Sequence, residues 1–137
     1  MSPDGLADDV WRAMAALVYD NREGWKRAVV EQTGLPFSRV RVLRRLARQP
    51  MSVKEIAHAA TIDAPAATVA VNDLEDRGLV MREVDPGNRR SKRVSLTPAG
   101  RAVVERIDAI DDPAPAALAA LDTDDLATLH AIIGRLR

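Results

Sequence analysis

Four cations fall within five residues at Arg89, Arg90, Lys92 and Arg93, directly after the turn-rich run Asp85-Pro-Gly-Asn88. Flexible guanidinium groups on a thin loop are suited to pairing with phosphates or to entering a narrow minor groove, where negative potential is focused. Asn88, Arg89, Arg90 and Lys92 are therefore candidate DNA contacts, and Arg39 and Arg41 are candidates of the same chemistry further up the chain. Between the two groups lies a helical stretch, 64–77, whose first turns hold almost no hydrogen-bonding side chain: Ala64, Pro65, Ala66, Ala67, Val69, Ala70 and Val71 carry no donor. At about 100° per residue Ala67, Val71 and Leu74 share a buried face, and Pro65, Thr68, Val69 and Asn72 turn outward. On that wheel Asn72 can pair with an adenine edge, Thr68 can donate or accept, and Val69 or Ala66 can pack on a thymine methyl. Asp73 and Asp76 would repel phosphate and are expected on the far portion of the helix.

These residues sit in an uneven charge distribution. The chain of 137 residues has 20 Lys plus Arg and 20 Asp plus Glu. Arg22, Lys26, Arg27, Arg39, Arg41, Arg44, Arg45, Arg48 and Lys54 nevertheless face only Glu23 and Glu31 between residues 22 and 54, whereas residues 105–125 are acidic with Arg106 alone opposing. Clustered positive charge is the footprint of a polyanion partner. Enzyme chemistry is not indicated: His58 and His130 lack a neighbouring acid or nucleophile pattern, no paired His/Glu spacing suggests a metal, and no glycine-rich phosphate loop is present. No cofactor is expected. The absence of cysteine removes disulfides and thiolate sites. The acidic start MSPDGLADDV lacks a signal-peptide pattern, and no run of eighteen apolar residues occurs, so a cytoplasmic protein without membrane association is expected. The excess of arginine over lysine and the abundance of alanine fit a GC-rich bacterial genome.

The elements that must position these side chains follow from periodicity and caps. One long helix is predicted from Leu6 to about Gln32, ended by Thr33-Gly34. A second follows Pro36, with Val40, Leu43 and Leu46 or Ala47 inward and its arginines outward. Ser52-Val-Lys-Glu55 reads as a capping box opening a short helix to about Ala60. After the link Thr61-Ile62-Asp63, Asp63 caps the 64–77 helix, with Pro65 in its first turn and Gly78 closing it. Residues 79–84 and 92–96 read as strands around the turn 85–91. Thr97-Pro98 starts a helix reaching Ile110, and a last amphipathic helix begins near Asp122 or Thr123.

Two helices joined by a short turn and followed by a hairpin with a basic tip describe a winged helix-turn-helix, in a chain that is mainly α with a small β-hairpin. The segment from Met51 to Val104 resembles the core of the MarR (multiple-antibiotic-resistance regulator) family, with "LEDRGLV", "DPGNRRS" and "VSLTPAG" in the family's order and spacing. The resemblance implies a homodimeric, DNA-binding transcription regulator, mostly of the repressor kind. It implies an N-terminal dimerisation helix over 1–35, a DNA-binding domain over 36–97 and C-terminal dimerisation helices over 98–137. The 64–77 helix would then enter the major groove of double-stranded DNA and the 85–91 wing the minor groove. A small aromatic effector, expected on resemblance alone, would be lined by Trp11, Met14, Trp25 and Phe37. The family's wing usually has an aspartate where Asn88 stands, opposite Arg90, and its reading helix usually has hydroxyl and arginine side chains where Pro65, Ala66 and Val69 stand. The alternative function is a winged-helix dimer that binds protein, with weak or no sequence-specific DNA binding.

Overall fold

The computed structural model describes residues 3–137; Met1 and Ser2 of the acidic start lie outside the described residues. In chain order the elements are α1 (Pro3–Asn21), α2 (Glu23–Thr33), α3 (Phe37–Leu46), α4 (Val53–Ala60), α5 (Ala64–Asp76), β1 (Val80–Asp85), β2 (Asn88–Leu96), α6 (Pro98–Asp108), α7 (Ala116–Ala119) and α8 (Thr123–Arg135). The mainly helical winged helix-turn-helix expected from the sequence is the fold observed.

The starts of four helices are set by single side chains. The Ser52 hydroxyl accepts from Glu55 N at 3.1 Å and an Asp63 carboxylate oxygen from Ala66 N at 2.7 Å; Thr97 and Asp122 do the same for Gly100 N and Asp125 N. Each satisfies an amide that the first turn leaves without an intrahelical partner, worth about 1 kcal/mol.

The long first helix is a correction. It breaks at Arg22, which caps α2, and the Asn21 side-chain amide donates to Leu17 O at 2.8 Å, closing α1 on itself. The apolar spacing runs on through the break and so conceals it. The hairpin also departs from expectation, because β2 begins at Asn88 rather than Lys92. Pairing runs regularly from Val80↔Leu96 to Val84↔Lys92, then slips to Asp85↔Asn88. Arg89, Arg90 and Ser91 are left as a bulge without cross-strand partners, and such bulges re-aim side chains. The helix expected to reach Ile110 stops at Asp108, and the alanine-rich stretch forms the single turn α7.

By packing, the chain divides into Arg22–Ile110 and a second unit made of Met1–Asn21 with Asp111–Arg137. In the first, Val40 and Leu43 of α3, Ile56 of α4, Val71 and Leu74 of α5, Val94 of β2 and Ile107 of α6 are fully buried in one core. Burying each such side chain stabilises the fold by about 1.5–3 kcal/mol. The hairpin is tied to this core by a backbone bridge, Met51 N to Val94 O at 3.0 Å and Val94 N to Met51 O at 2.7 Å. In the second unit no described residue is buried, and Trp11 and Tyr19 of α1 are 68% and 75% exposed. Ile132 and Ile133 of α8 and Leu136 just beyond it are exposed as well. Among the described residues no helix is long and apolar enough to cross a membrane.

Candidate nucleic-acid interface

The buried face of α5 is Ala67, Ala70, Val71 and Leu74, which adds Ala70 to the face read from the helical wheel. Pro65, Ala66, Thr68, Val69 and Asn72 are all exposed, as expected. Their chemistry is narrower than their residue types imply. The Thr68 hydroxyl donates back to Ala64 O at 3.1 Å, which uses its only proton inside the helix. The Asn72 carbonyl oxygen accepts from Arg82 Nη2 at 2.6 Å, and Arg82 Nη1 bonds Glu75 Oε1 at 2.8 Å. Arg82 thus clasps strand β1 to helix α5. Because a guanidinium only donates, Asn72 must turn its oxygen toward Arg82.

Arg39 is engaged in the same way. Its Nε donates to Asp73 Oδ2 at 2.9 Å and its Nη1 to the Ser38 hydroxyl at 3.2 Å; Arg77 Nε reaches the other Asp73 oxygen at 3.1 Å. Hydrogen bonds from Arg39 and Arg77 hold the Asp73 carboxyl below its usual value of 3.8. Asp73, expected to repel phosphate, is instead neutralised by two arginines, one of them a supposed phosphate ligand.

Sequence reasoning missed Arg77 and Arg82. Spacing of i,i+4 from Asp73 could have found the first, and alternation along β1, which puts Arg82 on the face of buried Val80, could have found the second.

The wing differs. Asn88, Arg89, Arg90, Lys92 and Arg93 are exposed, and among the described residues none of the four cations forms an ion pair. The tip is held by its backbone: Gly87 N donates to Asp85 Oδ1 at 2.8 Å and Arg90 N to Asn88 Oδ1 at 3.1 Å. Asn88 therefore secures the loop through the Arg90 amide and leaves that guanidinium free.

Arg41 lies elsewhere. It is exposed and, with Phe37, Arg44, Arg45, Arg48 and Asp108, lines a cleft of about 400 Å³ beside α3 and α6. Trp25 and Phe37 are brought together edge to face, ring centroids 5.8 Å apart, with Arg22 4.3 Å and Arg44 5.1 Å from the Trp25 ring centre. Trp11 and Met14 belong to the other packing unit. Among the described residues no cluster of acids and histidines could hold a metal.

Residues 33–91 match the family model of the MarR family. Solved structures share the fold at low identity. The transcriptional regulator BldR from Sulfolobus solfataricus is 22% identical, with 98% of this chain and 99% of that chain covered and a TM-score of 0.69. Wild-type MarR from E. coli is 20% identical over 90% of this chain and 94% of its own, with a TM-score of 0.75. MepR of S. aureus, solved as a DNA complex, is 21% identical over 91% and 99%, with a TM-score of 0.61.

Proposed function

We propose that this protein, whose residues 33–91 match the family model of the MarR family, is a dimeric, cytoplasmic repressor that binds double-stranded DNA and is released by a small aromatic effector. One observation carries the reading: the wing presents Arg89, Arg90, Lys92 and Arg93 exposed and, among the described residues, without ion-pair partners. Unspent cations on a protruding hairpin fit phosphate oxygens, and a protein of the same fold, MepR, is known bound to DNA. In this reading Pro65, Ala66, Thr68, Val69 and Asn72 face the major groove, and Asn88, Arg89, Arg90 and Lys92 follow the minor groove and its phosphates. Arg39 serves by cancelling the charge of Asp73, and Arg41 adds positive field.

The exposed apolar side chains of α1 and those of α8, each considered separately, support a homodimer. The division into 1–35, 36–97 and 98–137 then describes dimerisation and DNA-binding roles rather than packing units. For the effector, the Trp25–Phe37 pair and the arginine-lined cleft beside Phe37 offer an aromatic wall next to positive charge. The donor-poor, apolar start of α5 and exposed Asp76 favour one competing reading, a winged-helix dimer that binds protein.

Salt separates the two. Affinity for duplex DNA is expected to fall with a log–log slope of about −0.9 for each phosphate contacted. A flat response would leave the protein-binding reading.

A further inference from the structure

The outward face of α5 raises a problem for any DNA reader: it holds few groups that could tell one base from another, chiefly the Asn72 amide N–H and the Thr68 oxygen. Pro65, Ala66 and Val69 project only carbon, and Val69 is 58% exposed. Thr68 has returned its proton to Ala64 O, and the Asn72 oxygen is taken by Arg82. At the helix N-terminus the Asp63 carboxylate occupies the Ala66 amide. A bidentate adenine pair would need the Asn72 oxygen and nitrogen together, and the guanidinium on that oxygen takes one of its two lone pairs and fixes the direction in which the amide faces. What remains in the first two turns is a small, rigid apolar surface beside a cationic wing.

One feature of the major groove matches such a surface. The C5-methyl group of thymine is its only apolar recognition element, and the same group at the same position is carried by 5-methylcytosine. Resting on the DNA-binding reading above, we propose that α5 selects its site by pyrimidine C5-methyl groups packed on Ala66 and Val69, and not by hydrogen bonds to base edges. Shape suits the role, because Val69 offers two methyls on a stiff β-branched side chain and Ala66 and Pro65 let the helix approach closely. Affinity then comes from the wing, and discrimination from about 30 Å² of buried surface for each methyl contact. The protein should tolerate the exchange of thymine for 5-methylcytosine, which a hydrogen-bonding reader would reject.

The test takes the duplex enriched by the full-length protein from a random pool and replaces its thymines one position at a time with deoxyuridine, cytosine or 5-methylcytosine, each correctly paired. Deoxyuridine removes the methyl and keeps every hydrogen-bonding group. At the contacted position the expected order of affinity is thymine equal to 5-methylcytosine, both above deoxyuridine and cytosine. Loss of one buried methyl is expected to weaken binding about fourfold, or about fifteenfold when both halves of a palindrome are changed. Val69→Ser should erase the difference between thymine and deoxyuridine, and because Val69 is exposed the variant is expected to fold. The order thymine equal to deoxyuridine, both above cytosine and 5-methylcytosine, would mean that hydrogen bonds do the reading and would overturn the proposal. So would a duplex bound tightly with no sensitive thymine, while DNA binding itself stood. Failure to bind any duplex would overturn both.

Discussion

Helix α5 and the wing both carry or meet arginines, yet the two regions use them in opposite ways. Around α5, Arg39 and Arg77 converge on Asp73, and Arg82 bridges Asn72 and Glu75. On the wing, Arg89, Arg90, Lys92 and Arg93 meet no carboxylate among the described residues. The first set spends its charge on holding the fold together; the second leaves it exposed at the surface. A count of basic residues along the chain cannot distinguish the two, although they differ in everything that matters for binding. The separation also leaves Asp73 and Glu75 answered by arginines, so that of the acids on α5 only Asp76 is without an ion pair among the described residues.

Three variants would break or sharpen this contrast. The largest effect is expected at the base of the wing, where Gly100 of α6 lies so close to Leu79 that an added Cβ would overlap the Leu79 carbonyl oxygen. Since backbone cannot yield as a side chain does, Gly100→Ala should cost about 3 kcal/mol and lower the melting temperature by about 10 °C or more. A thermal melt indistinguishable from wild type would mean that the start of α6 does not approach the Leu79 carbonyl as described. Next, replacing Arg89 and Arg90 together by Ala should leave the melt unchanged. DNA affinity should weaken at least about tenfold for each arginine, and the salt slope should become shallower by about 2. An unaltered slope would remove the wing from the interface. The smallest change is expected for Arg82→Met, which should lower stability by roughly 1 kcal/mol, as loss of a partly exposed ion pair does, without altering the salt slope. A changed slope would place Arg82 among the phosphate ligands and erase the contrast between the regions.

What was legible in the sequence was local. Ser52, Asp63, Thr97 and Asp122 announce helix starts because the capped amide lies within three residues of the cap. The inward face of α5 followed from spacing alone, apart from Ala70. Arg39 with Asp73 was not legible: the partners are 34 residues apart and meet only after α3 has packed on α5. Its residue type pointed to phosphate, and its neighbourhood points inward. The break at Arg22 was hidden for a different reason, since Trp25 and Val29 keep the apolar rhythm going into α2 while the backbone has already been interrupted. In the wing, cation content was readable and geometry was not, because a bulge is a matter of register and leaves no mark in composition.

Thr97 joins three parts at once. Its amide donates to Leu79 O at 3.1 Å, its hydroxyl donates to Gly78 O at 2.6 Å, and the same oxygen accepts from Gly100 N at 3.1 Å. The tail of the recognition helix, the root of the hairpin and the first turn of α6 therefore share one axle. A tilt of α6 would be felt at the end of α5 and at the root of the hairpin together, because one threonine is hydrogen-bonded to all three.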